Sequence, residues 1–174
     1  MKKYIWIYGA ISGLITISSM VLGIWAADAE DAAGGEVAGY LIMLVALSLI
    51  FVAIKQYRDK DQGGVISFGQ AFLLGVGVSA VAGVAYVIVW EIYLYASDYA
   101  FINDYAAAML EEAKTAGISA AQLADKEAEI AAMKASYARP LYRLPMTFVE
   151  IFPVGVIVSL VSAAILRKHT VLPA

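Results

Sequence analysis

Two acids stand inside the most apolar parts of this chain. Glu91 lies in VAYVIVWEIYLY and Glu150 in MTFVEIFPVG. A charge at the centre of a membrane helix costs about 2.5–3.5 kcal/mol on insertion scales, and less toward its ends. An acid kept at such a cost holds a proton or a cation, pairs with a base, or takes an internal hydrogen bond. The bases at hand are Arg139 and Arg143. The two acids could face one another or share either arginine. Glu91 has the plainer reading, a carboxylate reaching interfacial water among Trp90, Tyr93 and Tyr95, which read as an aromatic belt. Glu150 divides evenly between packing and proton chemistry. Pro153 has no N–H to give the carbonyl of Val149, so an acceptor is freed one residue from Glu150. Burial disfavours a charged carboxyl, and the expectation is a Glu150 that carries its proton at neutral pH.

Other chemistry is thinly represented. The chain has no cysteine, which excludes disulfides, thiolate metal sites and a cysteine nucleophile. Its single histidine is His169. No serine triad or metal cluster stands out. The glycine-containing loop YRDKDQGGVISFGQAF lacks the Lys-Ser end and preceding strand of a phosphate-binding loop. No enzyme activity, cofactor, metal or nucleic-acid partner is expected.

The acids need elements to position them, and apolar length supplies these. Of 174 residues, 62% are hydrophobic, and mean hydropathy is +0.77. Four apolar runs match the roughly 17–25 residues that cross a bilayer. They cover about residues 4–26, 37–54, 68–95 and 144–166, in one membrane domain spanning 1–174. In lipid each must be a helix, because backbone groups find no other partners there. The expected class is all-α, a polytopic membrane protein.

Lys2, Lys3, Lys55, Arg58, Lys60, Arg167 and Lys168 fall at one set of span ends, and the first loop at the other set, DAEDAAGGE, is acidic. Positive-inside bias then places both termini in the cytoplasm. The first span has a basic start and a small-residue site at Ala27 to Ala29, as a signal peptide would. Its apolar stretch is about twice the usual 7–15 residues, which favours a retained helix. Glu91 then lies near the outer boundary and Glu150 about 6 Å inside it, at 1.5 Å per residue.

Residues 97–140 are too polar to cross lipid and read as an outer helical hairpin between spans three and four. Its first arm continues span three outward and ends at Gly117. Ser119 and Gln122 make a capping box for the second arm, which Pro140 closes. Ile102, Ala106, Met109 and Ala113 share a face of one arm; Leu123, Ile130, Met133 and Tyr137 share a face of the other. The stripes pack on each other or dock a partner or second copy. Ser67 and Gln70 make another capping box at the cytoplasmic entry to span three, after a turn at Gly63 and Gly64.

Small residues recur at fourth positions: Gly9 and Gly13; Ala71, Gly75, Ser79 and Gly83; Gly155, Ser159 and Ala163. Such rows let helix backbones approach closely. Tight packing within the chain is the expectation, with a dimer face on one row as the sharper alternative.

GGVISFGQAFLLG after a loop of mixed charge, and VEIFPVGVIVSLVSAAILRK with Glu150, Pro153, Gly155 and Ser159, resemble the DUF4199 family of small bacterial membrane proteins. The resemblance covers nearly the whole chain. It implies a four-helix protein of a bacterial inner membrane and carries over no catalytic residue. On the residues alone, the expected role is a non-enzymatic accessory or interaction protein, anchored in the bilayer and meeting a partner or second copy through the outer hairpin. Proton-coupled transport through Glu150 and Glu91 is the alternative.

Overall fold

The computed structural model describes residues 1–26 and 32–168. His169 and the small-residue site at Ala27 to Ala29 lie outside the described residues.

Among the described residues, seven helices follow one another: α1 (Lys2–Ala26), α2 (Ala32–Leu47), α3 (Leu49–Asp61), α4 (Phe68–Ala96), α5 (Ala100–Thr115), α6 (Ala120–Tyr137) and α7 (Pro140–Leu166). Among them, four stretches are long and apolar enough to span a membrane: Lys2–Ile24, Val37–Asp61, Phe68–Ala96 and Pro140–Leu166. The second runs through a turn at Ser48, whose hydroxyl donates to the Val45 carbonyl at 2.6 Å. This stretch continues past residue 54, because helix geometry persists into the polar KQYRDKD segment. The fourth starts four residues before Leu144. Pro140 serves as its first residue, where a missing N–H costs no helical hydrogen bond.

The chain divides into two compact units, Met1–Val89 with Thr147–Ala174, and Trp90–Met146. In the first, α1 and α4 run parallel and α7 runs antiparallel to α4. Side chains absent at Gly9 and Gly13 create the first contact. A Cβ on Gly9 would lie 2.6 Å from Val81 Cβ, and one on Gly13 2.5 Å from the Ala82 carbonyl oxygen. The second contact is reciprocal. A Cβ on Gly75 would meet Ser159 Cβ at 2.7 Å, and one on Gly155 would meet Ser79 Oγ at 2.5 Å. Each helix thus offers a glycine to the other's serine. Ser79 Oγ donates to the Gly75 carbonyl at 2.9 Å and Ser159 Oγ to the Gly155 carbonyl at 2.6 Å. The two hydroxyls lie 3.3 Å apart. Gly83 abuts Phe148 one step further along, and Ala71 and Ala163 are fully buried. At these positions the glycines of α1, α4 and α7 lie against a neighbouring helix of the same unit.

At one end of this unit, Gly63 and Gly64 adopt φ of +61° and +87° and turn the chain from α3 into α4. Ile66 then exchanges two 3.0 Å backbone hydrogen bonds with Lys168, just past α7. Arg58 Nη1 donates to the Leu166 carbonyl at 3.2 Å, covering an acceptor that the helix end leaves open. The Ser67–Gln70 capping box is formed.

Candidate functional site

The Trp90–Met146 unit is built around one buried base. Its segment of α4 ends at Ala96, and the chain does not run straight on into α5. Asp98 and Tyr99 turn it at φ of +49° and +58°, a left-handed conformation that costs a residue with a Cβ about 1–2 kcal/mol. The Tyr99 N–H closes the turn on the Leu94 carbonyl at 2.8 Å. The expected continuation of span three into the first arm is therefore corrected: SDY is a sharp corner. α5 and α6 pack on each other through Ala106 and Ile130, which are buried. The Ser119–Gln122 capping box opens α6.

Arg143, in the first turns of α7, reaches into this unit with its side chain only 3% exposed. Nε donates to Glu91 Oε1 and Nη2 to Glu91 Oε2, both at 2.6 Å. Nη1 donates to the Tyr137 carbonyl at 2.9 Å, the last residue of α6. The guanidinium lies over the rings of Tyr99 and Tyr137, 5.4 and 5.7 Å from their centroids. Planar, forked and fully charged, arginine fits this bidentate and stacked setting as lysine would not. All three of its nitrogens have an acceptor in the chain, so the group ties α4, α6 and α7 together. Removing one partner from such a pair is costly, about 3–5 kcal/mol, because the other charge stays buried.

Of the four ionisable residues singled out from sequence, the structure joins Glu91 and Arg143. Glu91 is not simply a wet carboxylate; 27% of its side chain is exposed and both its oxygens are bound. Arg139 is exposed where α6 gives way to α7. Trp90 corrects the belt reading. It is 2% exposed, its indole N–H donates to Tyr137 Oη at 2.8 Å, and Phe101 meets its ring edge-on at 4.9 Å. A buried indole needs a partner for its N–H, and the returning α6 supplies one. Tyr95 is 79% exposed.

Glu150 belongs to the other unit. It sits on an exposed stripe of α7 that includes Met146, Val149 and Ile157. Its Oε1 lies 3.4 Å from the hydroxyl of Tyr86. That hydroxyl also lies 2.8 Å from Met20 Sδ. α7 runs through Pro153 as one helix. The sequence reading passed over Tyr86, Met20 and Tyr99, and placed Tyr137 only on the apolar stripe of the second arm. The one signal for them was spacing: Tyr86 and Trp90 are four apart, on one face of α4. Among the described residues, no buried side-chain nitrogen or oxygen lacks a hydrogen-bond partner.

A family model described as "Protein of unknown function (DUF4199)" matches residues 7–168. No curated protein and no solved structure matches the chain.

Proposed function

Because the chain belongs to the DUF4199 family, whose function is unknown, its role must be read from its own residues, and we propose that it is a non-enzymatic interaction protein. Four spans anchor it in a bacterial inner membrane, and the Trp90–Met146 unit meets a membrane-protein partner or a second copy. One observation carries the reading: this unit uses its buried charge to hold its own helices. With every guanidinium nitrogen of Arg143 engaged inside the chain, the unit is a rigid shape more than an open reaction centre. A preorganised surface loses little freedom on association.

On this reading both termini are cytoplasmic. The support is the grouping of basic residues at one set of helix ends, where Tyr4 Oη donates to Asp61 at 3.1 Å and Ile66 bridges Lys168. An impermeant maleimide should label Ala116→Cys in intact spheroplasts and spare Gln62→Cys; the reverse pattern overturns the orientation. The functional test is recovery from native membranes in mild detergent. A stoichiometric partner that Arg143→Met releases supports the proposal. A pure homo-oligomer that carries protons across liposomes would replace it with proton-coupled transport, which the Tyr86–Glu150 contact favours.

A further inference from the structure

Acids inside membrane helices almost always face the bundle interior and find a partner there. Glu150 does the opposite. It is the eleventh of the 27 residues of α7, about 15 Å from the start of the helix and 24 Å from its end at 1.5 Å per residue. With a hydrocarbon core of about 30 Å on a helix of about 40 Å, neither end brings headgroups within a glutamate's reach. Yet Glu150 is exposed, and Val149, Pro153, Ile157 and Val161 are exposed along the same face. Among the described residues its one hydrogen-bond donor is the Tyr86 hydroxyl, 3.4 Å from Oε1, and Oε2 accepts none. Pro153 gives the Val149 carbonyl no hydrogen bond either. Two acceptors therefore open side by side on a face that is otherwise apolar.

We propose that this face of α7 docks a transmembrane helix of a partner membrane protein, and that the partner helix carries one lysine or arginine at the depth of Glu150. Charge complementarity sets the choice of occupant. A base brings several donors on one side chain, enough for the carboxyl and the neighbouring carbonyl together. A second copy inserted the same way has no base to offer there. Residues 4–54, 62–113 and 144–166 hold no lysine or arginine, and Arg143 is already spent on Glu91 and Tyr137. Two copies would set acid against acid. The inference rests on the reading of the chain as an interaction protein but uses the other unit. Release of a partner by Arg143→Met does not bear on this face, so either proposal can fail alone.

The experiment measures fluorescence transfer in phosphatidylcholine vesicles between the full chain and a leucine-rich transmembrane peptide with one lysine near its centre. The lysine peptide should associate about tenfold more strongly than the same peptide with leucine there, the size of one polar contact between model membrane helices. Glu150→Gln should remove that preference. Glu150→Lys should reverse it, favouring a peptide with glutamate at the same position. Ile157→Trp should weaken association by crowding the stripe, while Leu73→Trp, on an exposed position of α4, should not. The Ile157 variant keeps the test open should either Glu150 variant fail to fold. Equal association of the lysine and leucine peptides, or a lysine preference that survives Glu150→Gln, overturns the proposal. So does self-association of the chain that Glu150→Gln abolishes, which would give this face to a second copy. A lysine preference erased when phosphatidylethanolamine replaces phosphatidylcholine overturns it too, making a lipid amine the occupant.

Discussion

The two units hold their helices by opposite means. Between α4 and α7 of the first, contact depends on what is missing: Gly75 and Gly155 leave space that Ser159 and Ser79 enter. In the Trp90–Met146 unit, contact depends on a long side chain, Arg143, that reaches several elements at once. Lipid is as apolar as leucine, so spans gain nothing from merely burying apolar surface on each other. They gain from close approach and shared hydrogen bonds. The alanine-rich pair α5 and α6 buries few large side chains of its own, with Ala106 and Ile130 at its centre. A charged tie supplies the definition that area does not. The same chain thus uses small residues where the medium gives packing its value, and a saturated ion pair where burial is thin.

Removing the charged tie should have the largest effect. Arg143→Met leaves Glu91 half-buried without its base and should cost about 3–5 kcal/mol. The loss should be confined to one unit, seen as early proteolysis within residues 97–140 while the spans keep their melting point. Adding Glu91→Leu to Arg143→Met should restore much of the stability, since an apolar pair of similar volume replaces a buried ion pair well. If the single variant melts like wild type, the tie is ornamental and the contrast between the units fails.

An intermediate effect is expected from one methyl group. Gly155→Ala places a Cβ 2.5 Å from Ser79 Oγ and 2.6 Å from its Cβ. Overpacking of this kind typically costs 1–3 kcal/mol. Gly39→Ala, with nothing within 4 Å of the new Cβ, should be neutral or stabilising by up to about 1 kcal/mol, the helix preference of alanine. Thermal melting in one detergent checks both, and equal shifts would remove the close contact from the argument.

The smallest effect should come from the corner before α5. Asp98→Gly relieves a left-handed residue and should raise stability by roughly 1 kcal/mol. Tyr99→Gly relieves the same strain but removes a ring from Arg143, so it should gain less or lose. Comparing the two melts separates the corner's strain from the ring's contribution.

What could be read in the sequence was local or periodic. Span lengths follow from apolar runs, and both capping boxes follow from residues three apart. The fourth-position rows of glycine and serine declared their role because one helix turn repeats them. The Glu91–Arg143 pair was half legible. Both members were singled out, but Arg139 stood equally available, because choosing between them requires knowing where α6 ends and α7 begins. Pro140 decides that by opening α7, which leaves Arg139 outside and Arg143 in. Trp90 was misread because an aromatic near a membrane boundary looks the same whether it faces headgroups or a neighbouring tyrosine. Met20 gave no warning and Tyr86 only its spacing from Trp90: in an apolar run, a phenol and a thioether read as filling. The corner at Asp98 and Tyr99 had no glycine to announce it.

The reciprocal contact of α4 and α7 bears on how copies avoid mispairing. Gly-xxx-Ser occurs on both helices, and it is self-complementary when the helices run in opposite directions. Two copies of the chain inserted the same way present their α4 helices parallel. Parallel alignment would set serine against serine and glycine against glycine, crowding one step and hollowing the next. Insertion direction therefore acts as a filter on pairing. A shared insertion direction thereby reserves each α4 for an α7, and no separate recognition element has to be encoded.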